Sequence, residues 1–575
     1  MNAMPQRPRM TVVAGGSPPP GDDRVDVMIQ RGRTDQVADA AERALLDAQA
    51  PFYARGDVLV RVARDLSTRR DRRTPNDNAL PSLVPATAPM LQDALEACCR
   101  FRVVKSDGEA VTTGCPRDVP GVILSRIGRW LAPQVRGVAA VPVLHDDGSI
   151  AGAGYDATSQ HVIVLDGEWP RVPDTPDEAD ARAALGRVDE LIGGFPFAGD
   201  ADRAVTIAAF LSAVLRPTLP TCPGFAWSAP VRGSGKSKLA DVTAVFATGR
   251  PAAVMNWPVQ AEEQEKRLGA ALLAGDPIIA IDNIEGQLRG DALNSMLTQS
   301  EMAIRVLGVS RLPRVAVSCV LTVTGNNLVV AGDMTRRMLV AHLDPRMERP
   351  ELRRFDFEPV SRAKTQRRDL VVALLTIARW WCRSGIKGDL PPLGSFEVWS
   401  RRVRDPLVAL GLADPCGVLD ELHKEDPERE AAQEVLTEWN ASFGESPTSV
   451  ADAIRRATSV GGDSALRDAL DAVAGSPGGI VSKRLGRWLL KHKDRILGGL
   501  VLRREHDAKA NVAVWSVRQV APSGRVSGLA GFVSPLTRES SSRIAIETNP
   551  VNPITRGEED GVWVGDVGGD ACLDD

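Results

Sequence analysis

No Cys-x-x-Cys pair occurs in this chain. Its eight cysteines are scattered, with Cys98 and Cys99 the only adjacent two, so neither a structural zinc site nor a disulfide framework is supported. The six histidines are equally dispersed and make no His-x-x-x-His pair, which removes the simplest helical metal site. Long apolar runs are missing too. None approaches the length of a membrane span, and the N-terminus lacks the apolar core of a signal peptide, so a cytoplasmic protein with no membrane partner is expected. Nor is there an excess of positive charge: with a formal net charge of −4, any grip on nucleic acid must come from basic residues concentrated locally.

What is present is an ordinary globular composition, 43% apolar and 25% charged, over 575 residues. That is too long for one core, and roughly two to four domains follow. The chain is organised around Val231-Arg232-Gly233-Ser234-Gly235-Lys236-Ser237. A phosphate-binding loop needs glycines so that successive N–H groups can curl round a phosphate, a lysine to neutralise it, and a hydroxyl for Mg²⁺. Arg232, Gly233, Ser234, Gly235, Lys236 and Ser237 are the candidate nucleotide-binding residues. Pro230 stands where the full motif has its first glycine.

The context fits a nucleotide site. An apolar strand at 225–227 leads into the loop, and residues 238–246 read as the helix whose N-terminus faces the phosphates. The apolar run Pro277-Ile278-Ile279-Ala280-Ile281 ends at Asp282, the place of a magnesium-holding aspartate, which pairs Ser237 and Asp282 as metal ligands. A third strand at 320–324 ends in Gly325-Asn326-Asn327, either asparagine a candidate for holding the attacking water. Arg336 and Arg337 follow, placed to act as an arginine finger on a neighbouring subunit's nucleotide. A short strand at 252–256 between loop and Asp282 argues against a kinase-like arrangement.

The ordered set GSGKS, IIAIDN, TVTGNN and GDMTRR resembles the superfamily 3 helicase branch of AAA+ ATPases, in particular replication helicases and primase-helicases of prophages, plasmids and integrated elements. The resemblance spans about residues 135–440, with specific motifs only between Gly233 and Arg337. It implies ATP and Mg²⁺ as cofactors, single-stranded and duplex DNA as partners, and a homo-hexameric ring. Asn283 stands where many relatives carry the glutamate that polarises water, leaving Glu285 as the substitute. The resemblance also implies a channel hairpin before the sensor strand. Residues 302–307 and 313–317 read as its strands, and Arg305, Arg311 and Arg314 supply positive charge for DNA phosphates.

Elsewhere the reading is coarser. Residues 1–30 are expected to be disordered, 31–174 an N-terminal α+β accessory domain, 175–220 a helical collar and 221–345 the ATPase core. A helical domain at 346–446, a winged helix at 447–520 and a disordered acidic tail at 521–575 complete the chain. Thr175-Pro176-Asp177-Glu178 reads as a capping box opening a helix. In the winged helix, Lys483, Arg484, Arg487 and Lys491 lie on the third helix and Arg503 on the wing, the local basic concentration that DNA requires. A primase would need spaced acids and a histidine. Asp146 and Asp147 are adjacent, so they face opposite ways on a strand and break that pattern, although His161 and Asp166 imitate its later part.

The fold expected is therefore α/β, with a P-loop AAA+/ASCE ATPase core, helical flanking regions, an N-terminal α+β domain and a C-terminal winged-helix domain. The expected function is an ATP-dependent DNA helicase for replication of a mobile element. Two alternatives stand beside it: an ATP-binding origin-recognition or replication-control protein without unwinding, and a primase-helicase fusion.

Overall fold

The computed structural model describes residues 24–30, 32–64, 81–284, 286–305, 312–347, 349–350, 356–424, 426–507 and 511–520. The described residues belong to one compact unit, and the expected acidic tail lies outside them. No helix among the described residues is long and apolar enough to cross a membrane.

A five-stranded parallel sheet forms the centre. Its strands are β1 (Gly224–Ala229), β2 (Val254–Met255), β3 (Ile278–Ile284), β4 (Val320–Asn326) and β5 (Met338–His342), in the order β2-β3-β4-β1-β5. Every residue of β1 and all but the last of β4 are buried, the continuous apolar pattern of strands inside an α/β sheet. Because β4 lies between β1 and β3, it carries their loops to one edge. Ala229 pairs with Asn326, and Ile281 with Val323.

Helices pack this sheet into a single large core. α1 (Glu178–Ile192), α2 (Asp200–Leu215), α3 (Lys236–Thr248) and α4 (Arg367–Ser384) share one apolar cluster with the strands, running from Val141 to Leu422. Indole groups fix the layers: Trp227 Nε1 donates to Thr206 Oγ1 at 3.0 Å and Trp399 Nε1 to Ser212 Oγ at 2.8 Å. Trp380 and Trp381 are each 5% exposed and belong to this core. The capping box of α1 sits two residues beyond the one expected. Asp177 caps, and its side chain exchanges hydrogen bonds with Asp180, because aspartate is the stronger cap and lies clear of Pro176.

The N-terminal region has its own core around Val27, Leu91, Leu95, Phe101 and Ile123. Within the stretch expected to be disordered, Val25–Met28 is a strand parallel to Cys99–Val104. Val27 alternates inward there, beyond the proline-glycine run. A second sheet, Phe52–Arg55, Val58–Arg64 and Pro81–Pro85, docks on the central unit. Its buried Arg55 donates to the Arg136 carbonyl and, at 2.6 Å, to the Leu272 carbonyl. The turn at Gly56 (φ +56°) abuts the Arg314 carbonyl where a Cβ would stand. Gly56→Val is therefore expected to cost about 1–3 kcal/mol through strain and clash. Faster amide exchange at 301–303 and 314–316 would report it, while Asp57→Ala stays within about 0.5 kcal/mol.

Toward the C-terminus, α5 (Pro427–Phe443) contributes Val435, Leu436 and Trp439 to a further core. Two helices, Val450–Thr458 and Ser464–Ala474, then α6 (Ser482–His492), complete it with an antiparallel hairpin of Leu500–Asp507 and Val512–Gln519. Asp426 is only 7% exposed, because it caps α5.

Candidate nucleotide and nucleic-acid sites

The loop between β1 and α3 needs glycine twice. Gly233 and Gly235 adopt φ +77° and +99°, a region that side chains resist. At Gly235 the ring of Phe195 also lies 2.8 Å from where a Cβ would be. Pro230 does not open the loop. The turn closes instead on the Val231 carbonyl, which accepts the Ser234 hydroxyl at 2.7 Å and the Lys236 ammonium at 3.0 Å.

Four of the side chains selected from the sequence meet here. Lys236 Nζ donates to Asn326 Oδ1 at 2.9 Å, and Ser237 Oγ donates to Asp282 Oδ1 at 3.1 Å. Burial lowers the Lys236 pKa, opposed by the charge of Asp282. The neighbouring Asp241 carboxyl is raised, chiefly by burial. The two asparagines separate into different tasks. Asn326 holds the lysine, whereas Asn327 takes a left-handed bend (φ +45°) and donates its N–H to the Ala229 carbonyl at 3.0 Å. Leu328 N–H reaches Ser228 Oγ at 3.0 Å, clipping the β4 loop to β1. Asn283 is likewise left-handed (φ +54°), a bend that asparagine tolerates better than glutamate. Glu285 lies outside the described residues.

The paired arginines differ as well. Arg337 is 21% exposed in its side chain and bonds the Asn294 carbonyl, Thr298 Oγ1 and Asp333, so it holds helix Asp291–Thr298 to the turn. Arg336 is 68% exposed and pairs with Asp333. That turn is tied onward: Gly332 N–H donates to Asp426 Oδ1 at 3.2 Å, and Glu428 pairs with Lys491 of α6 at 3.1 Å.

For nucleic acid, Glu301–Ala303 and Arg314–Ala316 form an antiparallel pair with Arg305 and Arg314 exposed; residues 306–311, including Arg311, lie outside the described residues. On α6, Lys483 and Arg487 are exposed and meet no acidic partner among the described residues. Arg484 donates to the Gly475 carbonyl at 2.9 Å, and Arg503 pairs with Asp494 at 2.6 Å.

The residues that imitate a primase are engaged otherwise. Asp146 pairs with Arg402 at 2.9 Å and Asp166 with Arg367 at 3.3 Å. His161 is 2% exposed, its Nδ1 lies 2.8 Å from the Ser159 carbonyl, and burial pushes its pKa from 6.5 down to about 4. The unfolded chain takes up this proton first, so stability present above pH 6.5 is lost as pH falls toward 4, by about 3 kcal/mol. His161→Gln should flatten the fall in unfolding temperature between pH 7 and 4.5; an unchanged slope would show that another group carries it.

Thr324, Ser228, Asp333 and Phe195 are site residues that sequence reading passed over. Polar residues inside a fully buried strand, as at Thr324 and Ser228, were the available signal.

The donors suit a hard divalent cation: the Ser237 hydroxyl and Asp282 carboxylate are oxygen ligands of the kind magnesium takes, and Asp282 Oδ2 accepts no hydrogen bond among the described residues.

No family model matches the chain, and no curated protein does. Among solved structures, the apo C-terminal region of NrS-1 is similar at 10% identity and a TM-score of 0.34, over 83% of this chain and 98% of that one. Another form of the same region gives 9% identity and a TM-score of 0.32, over 72% and 93%. JCV helicase with a bound small molecule is similar at 11% identity and a TM-score of 0.19, over 44% and 74%. Likenesses this weak define neither the fold nor the activity of this chain.

Proposed function

We propose that the chain is an ATP-hydrolysing DNA helicase or translocase serving replication of a mobile genetic element, acting as a homo-hexameric ring with a P-loop AAA+ core and a C-terminal winged helix. One observation carries this reading: Lys236 with Asn326, and Ser237 with Asp282, meet where β1, β3 and β4 end together. A triphosphate fits the cradle of N–H groups from 232 to 237, with Lys236 on its terminal phosphates. Ser237 and Asp282 would hold magnesium, which supplies neutralisation of the phosphate charge. Asn326 is the group to orient the attacking water, and the exposed Arg336 reaches a neighbouring copy's nucleotide. Arg305 and Arg314, beside and on the antiparallel pair, are the described residues that would grip one DNA strand, with Arg311 of the intervening sequence as the third. Lys483 and Arg487 suit a groove, since neither is engaged by an acid among the described residues.

A second reading, ATP-dependent origin recognition without unwinding, is favoured by Asn283 at the position of a water-polarising glutamate. Hydrolysis measured with and without single-stranded DNA, beside strand displacement, separates the two. Stimulated hydrolysis with displacement is the outcome expected. ATP binding with neither would overturn the helicase reading and leave the second.

A further inference from the structure

Thr324 is held in the middle of the site, 3% exposed. Its Oγ1 donates to Asp282 Oδ1 and accepts the Asn283 N–H at 3.2 Å. The same Oδ1 accepts the Ser237 hydroxyl at 3.1 Å and the Asn283 N–H at 3.0 Å. Three donors from three segments thus converge on one carboxylate oxygen, while Oδ2 accepts none among the described residues. Asp282 and Asn283 also sit where the β3–β4 register shifts, between Ile281 and Ile284, an irregularity of the kind that re-aims a side chain.

Satisfying a buried hydroxyl does not by itself account for the contact. Thr322, two residues earlier and on the same strand face, is fully buried, yet its Oγ1 has no hydrogen-bond partner among the described residues. β4 therefore tolerates an unpaired threonine hydroxyl. What distinguishes Thr324 is its place beside Asp282, and its branched side chain, stiff about χ1, makes it a fixed post.

We infer that Thr324 is a positioning residue for the metal-holding carboxylate: it pins Oδ1 of Asp282 and so reserves Oδ2 for magnesium or its bound water. This rests on the nucleotide site proposed above. A carboxylate without its post must be ordered by the incoming ion, and loss of such an outer partner costs about 10–100-fold in metal affinity.

The test uses the full chain, a fluorescent non-hydrolysable ATP analogue at varied Mg²⁺, and Mn²⁺ titrated by electron paramagnetic resonance. Thr324→Val is expected to raise the metal concentration for half-saturation about tenfold, with metal-free analogue affinity unchanged. Thr324→Ser, which keeps the hydroxyl, and Thr322→Val, the matched control, should behave as the parent does. Were Thr324→Val not to fold, Thr324→Ala is read the same way. A parent-like metal requirement in Thr324→Val, or an equal loss in Thr324→Ser, overturns the inference. A parent chain showing no magnesium-dependent nucleotide binding would instead sink the ATPase reading, and this inference with it.

Discussion

Lys236→Ala is expected to lower steady-state ATP hydrolysis by at least about a hundredfold, the scale on which a single preorganised electrostatic partner of a reacting group counts. Duplex DNA binding by the full chain should stay within about twofold, since α6, the helix proposed to contact DNA, is not part of the loop. Lys236 is only 8% exposed and is held by the Val231 carbonyl and Asn326 Oδ1, so its charge is kept in a poorly solvated place. Burial disfavours that charge, and Asp282 partly restores it. A phosphate entering the loop brings the negative charge that such an ammonium lacks. Lys236→Met keeps the chain length without the charge, and it should fail as fully while retaining the fold. Phosphate release beside a DNA-binding titration measures both. Hydrolysis undiminished in either variant would remove the lysine from the reaction.

Arg336→Ala should also abolish hydrolysis, and mixing it with Lys236→Ala should restore a part. If each nucleotide is completed by a neighbour, an equal mixture leaves roughly a quarter of the interfaces with both groups intact, as expected of head-to-tail contacts in a ring. Arg336 suits this role because its side chain is 68% exposed. Arg337 does not, being engaged with Asn294, Thr298 and Asp333. The two should therefore be replaced separately: Arg337→Ala is expected to loosen the turn of residues 332–336 and to give no complementation. Activity of the mixture no higher than that of its components would reject a shared site.

The candidate site was legible to different depths. Gly233 and Gly235 announce a left-handed loop because few other residues adopt it, and the order of loop, Asp282, asparagines and arginines is a one-dimensional feature. The difference between Asn326 and Asn327 was not legible. Adjacent residues on a strand end point opposite ways, and which one meets Lys236 depends on the pairing of Ala229 with Asn326. Thr324 escaped notice because its partner lies on another strand. The engagement of Lys491 and Arg503 by Glu428 and Asp494 escaped it too, since a basic run shows charge but not the acids that approach from elsewhere.

The glycine loop, the apolar strand runs and the local basic clusters can be read from the sequence alone, since they follow from conformational preference and solvation within a few residues. Tertiary structure alone decided which asparagine touches the lysine, which arginine stays exposed, and that a threonine on β4 holds the aspartate of β3. Those are matters of strand order and register, and contacts between segments tens of residues apart exist only once the sheet has closed.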